Sequence, residues 1–135
     1  MMPDPDADIA PLFRDDEMWA AVVDAFASLL HPNFECVASL LGIERRYGGD
    51  GADSFRAFWL DWMAPWETYR TETQKTIDCG ERVLQLAQEF GRRPGSAEEI
   101  RGDNAAIWTF SGDKIARFHA YSDRAEALKA VGLEA

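Results

Sequence analysis

The chain has few of the residues that would assign it to a class at once. Only two of its 135 residues are cysteines, Cys36 and Cys79. Their spacing matches neither the CxxC pattern of a metal or redox site nor the density of a secreted disulfide framework. We therefore expect two free thiols and a protein of a reducing compartment.

Long apolar runs are also missing. No run approaches the roughly twenty residues that are needed to cross a bilayer. The acidic, proline-broken start, Met1–Asp8, lacks the basic segment and continuous apolar core of a secretory signal. The sequence therefore predicts a cytoplasmic protein with no membrane partner.

Basic residues and histidines are scarce. The 14 lysines and arginines are outnumbered by 24 acidic residues, which gives a net charge of -10. Such a chain repels a phosphate backbone, so we expect no nucleic-acid partner. The two histidines, His31 and His119, are far apart in the sequence and have no acidic residue at metal-ligand spacing. We expect neither a metal site nor another cofactor.

The length is that of one domain. Residues 1–14 are predicted to be a polar N-terminal lead-in, in which Ile9, Leu12 and Phe13 can form a short helical turn against the body. Residues 15–135 are predicted to form a single α+β domain.

Apolar residues recur at helical spacing in two segments. The first helix is predicted from Asp15 to the break at His31-Pro32, and the second over 50–64, where Pro65 ends it. The predicted buried positions are Met18, Val22, Phe26, Leu29 and Leu30 in the first helix, and Phe55, Phe58, Trp59, Trp62 and Met63 in the second.

The remaining segments are mostly extended. A short strand over 34–39 and a glycine-containing loop separate the two helices, and strands over 68–78, 81–90, 97–110 and 114–122 form a meander after the second. A last helix begins after Asp123 and stops at Gly132. Helices followed by antiparallel strands predict an α+β fold with helices packed on one face of a curved sheet.

Five short motifs carry a family resemblance. They are His31–Glu35, Tyr47–Gly51, Ile77–Val83, Trp108–Arg117 and Asp123–Leu128. The set resembles the SnoaL-like branch of the nuclear transport factor two-like superfamily. The resemblance implies a cone-shaped α+β barrel, in which a strongly bent, mostly antiparallel sheet wraps N-terminal helices around an apolar pocket, and it implies a homodimer. Relatives include ketosteroid isomerases, polyketide cyclases, epoxide hydrolases, dehydratases and non-catalytic binding proteins, so the fold does not define one chemistry.

The resemblance leaves few catalytic candidates. Where ketosteroid isomerases have a base aspartate, a donor aspartate and a helix tyrosine, this chain has Ala38, Ala106 and Arg14, so steroid isomerisation is not expected.

The candidate acid–base residues are His119, because imidazole titrates near neutral pH, and Glu35 and Glu89, because each has apolar neighbours. An isomerase-like register places Phe118 on the cavity face of the last strand, which would leave His119 on the convex face in a structural or interface role.

Rings with polar tips suit an apolar cavity for a hydrophobic or aromatic ligand. The same residues also fit a plain core. The predicted pocket residues are Cys36, Trp59, Trp62, Trp66, Tyr69, Trp108 and Phe118.

Three functions follow from this pattern. The first is binding of a small apolar or aromatic molecule, with catalysis left open. The second is an isomerase, cyclase or hydrolase that acts through His119 or a strand glutamate. The third is an accessory interaction protein with a vestigial pocket.

Overall fold

The computed structural model describes residues 7–133. Within that range four helices accompany one curved, unclosed six-stranded sheet in the order β2-β1-β6-β5-β4-β3, which confirms the α+β fold. Neighbouring strands are antiparallel except β1 and β6, which are parallel. The helices are α1 (Ala10–Arg14), α2 (Asp16–Ala27), α3 (Gly51–Trp62) and α4 (Arg124–Ala130). The strands are β1 (Leu30–Leu40), β2 (Ile43–Tyr47), β3 (Thr68–Cys79), β4 (Arg82–Arg92), β5 (Glu99–Ser111) and β6 (Lys114–Tyr121).

The aromatic stripe of α3 packs on the inner face of the sheet, as the sequence predicts. Phe55 and Phe58 are buried, and the Phe58 ring centroid lies 5.2 Å from that of Phe118 on β6. Trp59 and Trp62 pack against the same cluster. The main core lies on this inner face, because α1 and α2 cover the part of it that α3 does not.

The predicted buried face of the first helix is partly wrong. Met18, Val22 and Leu29 are exposed, whereas Trp19 is buried and Phe26 packs on Phe55 with ring centroids 4.5 Å apart. The contact side is formed by Trp19, Val23 and Phe26. The prediction also extended the helix to Leu30. The helix stops at Ala27.

Leu30 already belongs to β1, and so do His31 and Pro32. The pairing of β1 with β6 shifts register between Leu30 and Glu35, around the proline. A proline cannot donate a ladder hydrogen bond, so it suits an irregular stretch of strand.

The sequence-based prediction of a glycine loop after β1 misses strand β2. Leu41 and Gly42 have φ angles of 53° and 81°, and Leu40 pairs with Ile43 around them. Two successive positive φ angles fit the tight turns that join antiparallel strands. Most of β2 is exposed and charged, so no alternation of apolar residues marks it in the sequence.

The described part of the predicted lead-in packs on the domain. Phe13 in α1 is buried between the rings of Trp19 and Trp59, with centroid distances of 5.8 and 5.4 Å. Residues 1–6 of that segment lie outside the described range.

The outer face of the sheet carries a second, smaller core. Ala127 of α4 packs there with Leu84, Ile107 and Tyr121. Successive residues of β6 alternate between the two cores, Phe118 and Tyr121 lying on opposite faces. No helix in the described range is long and apolar enough to span a membrane.

Candidate functional site

The inner face of the sheet borders a cavity of about 530 Å³ that is open on one side. The β1–β2 hairpin, the end of α3 and its following loop, and strands β4 and β5 form its walls. The walls are mainly apolar. Leu40, Ile43, Trp62, Pro65 and Trp66 contribute most of the large apolar side chains.

A second, smaller cavity of about 100 Å³ shares Trp62 with the first. Trp59, Trp108 and Phe118 line it, with Asn104 as a polar group. The two cavities are therefore neighbours on either side of one indole ring.

Glu89 is the polar centre that connects them. Its Oε2 accepts a 3.3 Å hydrogen bond from the Tyr69 hydroxyl and a 2.5 Å hydrogen bond from Asn104 Nδ2. The Tyr69 hydroxyl in turn accepts a 3.2 Å hydrogen bond from Trp62 Nε1. Three strands and α3 thus contribute to one network.

The electrostatics of this network favour a carboxyl group with altered acidity. Burial raises the pKa of Glu89, and hydrogen bonds from Tyr69, Trp62 and Asn104 oppose that rise. Burial and the neighbouring Glu89 charge also raise the pKa of Tyr69, so the phenol stays protonated and donates. A partly buried carboxyl with a raised pKa can act as a polar anchor or as a general acid or base.

The strand register explains why Glu89 reaches this position. Glu89 pairs with Gly102 on β5, where a side chain would meet the Glu89 Cγ at 3.4 Å. A Cβ at residue 102 would make an ordinary van der Waals contact there, so the Glu89 side chain packs directly against the neighbouring strand.

An ion pair and a phenol stand at the exposed side of the cavity. Asp61 Oδ2 accepts hydrogen bonds from the Tyr47 hydroxyl at 2.6 Å and from Arg45 Nη1 at 3.0 Å. Arg45 and Tyr47 are two residues apart on β2 and therefore share a face. Burial, followed by the hydrogen bond to Asp61, raises the pKa of Tyr47.

Two contacts fix the loop that carries Trp66. The Arg14 guanidinium donates to the carbonyl oxygens of Met63 at 2.8 Å and of Glu67 at 3.0 Å, and so ties the end of α3 to α1. Gly91 on β4 lies directly beneath the Trp66 ring. The ring is thereby held in the cavity wall.

The structure brings together most of the predicted pocket residues and one predicted acid. Trp62, Trp66 and Glu89 line the larger cavity, and Tyr69 contacts Glu89 from beneath. Trp59, Trp62, Trp108 and Phe118 line the smaller cavity. Cys36 lies in the main core rather than in either wall, and burial raises its pKa to about 12, so the thiol is a packing residue.

The other two candidate acid–base residues lie elsewhere. His119 is on the outer face, where its Nε2 lies 2.8 Å from Ser39 Oγ and its ring stacks on Tyr121. Burial, then the Arg117 charge, lowers its pKa to about 4. Glu35 is exposed and pairs with Arg46 at 3.1 Å. Neither residue lines the cavity that contains Glu89.

Sequence reasoning missed several polar residues of the site, among them Arg45, Tyr47, Asp61, Asp103 and Asn104. The signal for Asp61 was present, since it is a lone acid beside Trp62 at the end of an aromatic stripe. The signal for Arg45 and Tyr47 was absent, because strand β2 itself was not recognised.

The comparisons with known proteins agree with this architecture. The family model described as the SnoaL-like domain matches residues 13–118. A putative SnoaL-like polyketide cyclase from Jannaschia superposes over 100% of both chains with a TM-score of 0.59 and 14% identity. A ketosteroid isomerase-like fold from Catenulispora acidiphila, determined with trimethylamine, covers 98% of this chain and 95% of its own, with a TM-score of 0.58 and 16% identity.

A further similar structure is an NTF2-like protein of unknown function from Burkholderia pseudomallei. It covers 87% of this chain and 90% of its own, with a TM-score of 0.60 and 16% identity. No curated protein matches the sequence. At these identities the structural likeness describes the fold alone.

Proposed function

The chain belongs to the SnoaL-like domain family, and from the geometry of its cavity we propose that it binds a small apolar or aromatic molecule there, with Glu89 as the polar anchor. The observation that carries this proposal is one partly buried carboxylate in the wall of a roomy, mainly apolar cavity. Binding sites for small molecules combine such walls with a few placed polar groups.

Two further features support binding. The polar network around Glu89 is built from four different elements, so its geometry is rigid before a ligand arrives. One protein of similar fold holds trimethylamine, an example of a small organic ligand on this architecture.

A thermal-shift screen with steroids, polyketide-like aromatics and terpene epoxides tests the proposal. A ligand at about a hundred times its Kd adds about 2.7 kcal/mol to the free energy of unfolding. Ala38→Leu adds three carbon atoms to a residue of the cavity wall and should abolish the shift, whereas Ala25→Leu on the exposed side of α2 should preserve it. A hit that stabilises the Ala38→Leu variant equally would contradict binding in this cavity.

A second candidate function is acid–base catalysis of the isomerase, cyclase or hydrolase type through Glu89. The observation in its favour is the raised pKa of this carboxyl group next to an apolar cavity. His119 and Glu35 lie outside the cavity, so this candidate depends on Glu89 alone. Product analysis with each hit is the test, and turnover should fall about 100-fold or more in Glu89→Gln. Unchanged turnover in that variant would rule out the role.

The assembly and location belong to the same proposal. We expect a homodimer that pairs through the outer face around His119 and Tyr121, and sedimentation should then give twice the 15.2 kDa chain mass. A monomer at micromolar concentration would contradict the dimer. The free thiols Cys36 and Cys79 are consistent with a cytoplasmic protein, which cell fractionation checks directly.

A further inference from the structure

The polar atoms around Glu89 leave hydrogen-bond acceptors without donors. The hydrogen bonds from Tyr69 and Asn104 both end on Oε2 of the Glu89 carboxylate, and neither reaches Oε1. Asn104 Oδ1 is buried and has no hydrogen-bond partner there. Asn104 lines the smaller cavity and Glu89 the larger one. A ligand of the larger cavity that pairs with Glu89 Oε1 must bring a donor group, because a carbonyl or carboxylate would add another acceptor.

The charges in the cavity wall have the same bias. Asp61, Glu89 and Asp103 contribute three carboxylates, while Arg45 is the one cation in the described part of the wall. Arg45 already forms a 3.0 Å ion pair with Asp61. Glu89 and Asp103 therefore remain as uncompensated acids in the wall, in a chain whose net charge is -10. A cavity of this sign attracts cations and disfavours anions.

The aromatic walls are also suited to a cation. Guanidinium groups already lie over two of these rings, with Arg93 at 5.7 Å from the Trp66 centroid and Arg45 at 5.4 Å from that of Tyr47. Trp62 lines both cavities, and its ring is not among those in the described part of the chain that have a guanidinium group over them. Indole faces are the best cation acceptors among aromatic side chains.

We propose that the ligand of the larger cavity is an organic cation, a protonated amine on an aromatic or apolar body, whose ammonium group donates to Glu89 Oε1. The proposal rests on the proposed binding function and defines its ligand class. The apolar body would lie between Trp62, Trp66 and Leu40. An ammonium group supplies three donors and also offsets the charge of a carboxylate that burial disfavours.

Three probes that share one ring system distinguish the effect of charge on affinity from the effect of shape. Calorimetric titrations would compare 2-naphthylmethylamine, 2-naphthylmethanol and 2-naphthoate at pH 7, where the first is a cation and the last an anion. We expect the amine to bind about tenfold more tightly than the alcohol, and the carboxylate to bind more weakly than the alcohol. Equal affinity of the amine and the alcohol would overturn the proposal and leave the proposed binding function standing. Absence of binding by all three probes would overturn both.

Two matched glutamine variants then identify the carboxylate that causes the preference for the amine over the alcohol. Glu89→Gln should bring the amine and the alcohol to within about twofold of each other, because the charged hydrogen bond is lost while the shape of the cavity is kept. Glu35→Gln changes an exposed glutamate outside the cavity and should keep the full preference. An amine preference that survives in Glu89→Gln would show that another acid holds the ammonium group, and the proposal would be wrong. Circular dichroism and thermal unfolding confirm beforehand that both variants are folded.

Discussion

At the scale of single residues, the cavity depends on small side chains as much as on large ones. Gly91 and Gly102 lie on adjacent strands, and each is covered by a side chain of the site, Trp66 and Glu89 respectively. The missing Cβ at Gly91 lets the Trp66 ring lie against its strand, whereas a Cβ at Gly102 would make only an ordinary contact with Glu89. Sequence patterns do not predict such contacts, since a glycine in a strand does not indicate which side chain packs over it.

Gly91→Ala tests this arrangement. A Cβ at residue 91 would lie 2.3 Å from a ring carbon of Trp66, closer than real contacts allow, so the indole must leave its place. We expect a loss of about 1 to 3 kcal/mol in the free energy of unfolding, measured in urea, together with altered tryptophan fluorescence. Gly48→Ala is the control, because nothing lies within 4 Å of its added Cβ. Equal effects of the two substitutions would contradict the contact.

His119 gives the fold a defined acid sensitivity. Its pKa is lowered to about 4 in the folded protein, first by burial and then by the Arg117 charge, against about 6.5 in the unfolded chain. The folded state therefore binds fewer protons between these values, so the histidine's contribution is complete above pH 6.5 and is lost as pH falls toward 4.

The measurement is the difference in stability between the wild type and His119→Gln. From pH 7 to pH 4.5 the wild type should lose on the order of 2 kcal/mol more than the variant. Carboxyl groups titrate in both proteins and cancel in the difference. Parallel stability curves would show that the imidazole is not held neutral by its surroundings.

At the scale of elements, α3 contributes most of the large side chains that separate core from cavity. Its inner side is sealed, with Phe58 only 1% exposed, while Leu60 on its other side is 38% exposed. Trp62 lies at the end of the helix and reaches the cavity. The helix therefore both closes the core and presents the site.

Phe58→Ala should lower the free energy of unfolding by about 3 to 5 kcal/mol, because it removes a ring that packs on Phe118 and Trp62 and leaves a void. Leu60→Ala on the same helix should cost less than about 1 kcal/mol. Chemical denaturation of both variants checks the pair. A similar cost for the two would mean that the helix packs on a different face.

The β1–β2 hairpin is the strained element of the site. Leu41 has a positive φ of 53° and is 87% exposed, so its side chain gains little from burial. A branched residue in this left-handed region is unfavourable by about 1 kcal/mol. Since Leu41 also lines the cavity, the strained residue belongs to the proposed binding site.

Leu41→Asn should raise the free energy of unfolding by about 0.5 to 1 kcal/mol, because asparagine adopts positive φ more readily, and it should weaken the binding of 2-naphthylmethanol. Leu40→Asn removes a neighbouring wall residue without a positive φ, so it should weaken binding with no gain in stability. Thermal unfolding and titration separate the two effects. A less stable Leu41→Asn protein would show that the leucine is not strained.

The elements differ in how far the sequence predicts them. Helix α3 and the meander from β3 to β6 were predicted, because their apolar spacing and turn residues are strong local signals. Strand β2 was not, since its exposed charges carry no alternation. The contact side of α2 was predicted at Met18 and Val22, whereas Trp19 and Val23 form it. The location of Glu89 beside Asn104 depends on the pairing of β4 with β5. Strand pairing is a long-range property that local patterns do not contain.

At the scale of the whole molecule, the two faces of the curved sheet carry different groups of side chains. Its inner face holds the aromatic cavity and the Glu89 network, and its outer face holds His119, Arg117 and the small core under α4. Because this sheet does not close, the cavity on its inner face stays accessible from one side. The helices cover the rest of the inner face. The fold thus keeps the cavity and the buried His119 on opposite faces of one sheet.

The binding of a small molecule in the larger cavity is tested most directly by the indole N–H signals of the five tryptophans in a ¹H–¹⁵N spectrum during titration with 2-naphthylmethylamine. We expect the Trp62 and Trp66 signals to shift and saturate together, because both rings line the cavity. The signal of Trp19, which lies in α2 and packs on Phe13 outside the cavity, should stay unchanged. Unchanged Trp62 and Trp66 signals, or shifts confined to backbone amides around His119 on the outer face, would contradict binding in this cavity.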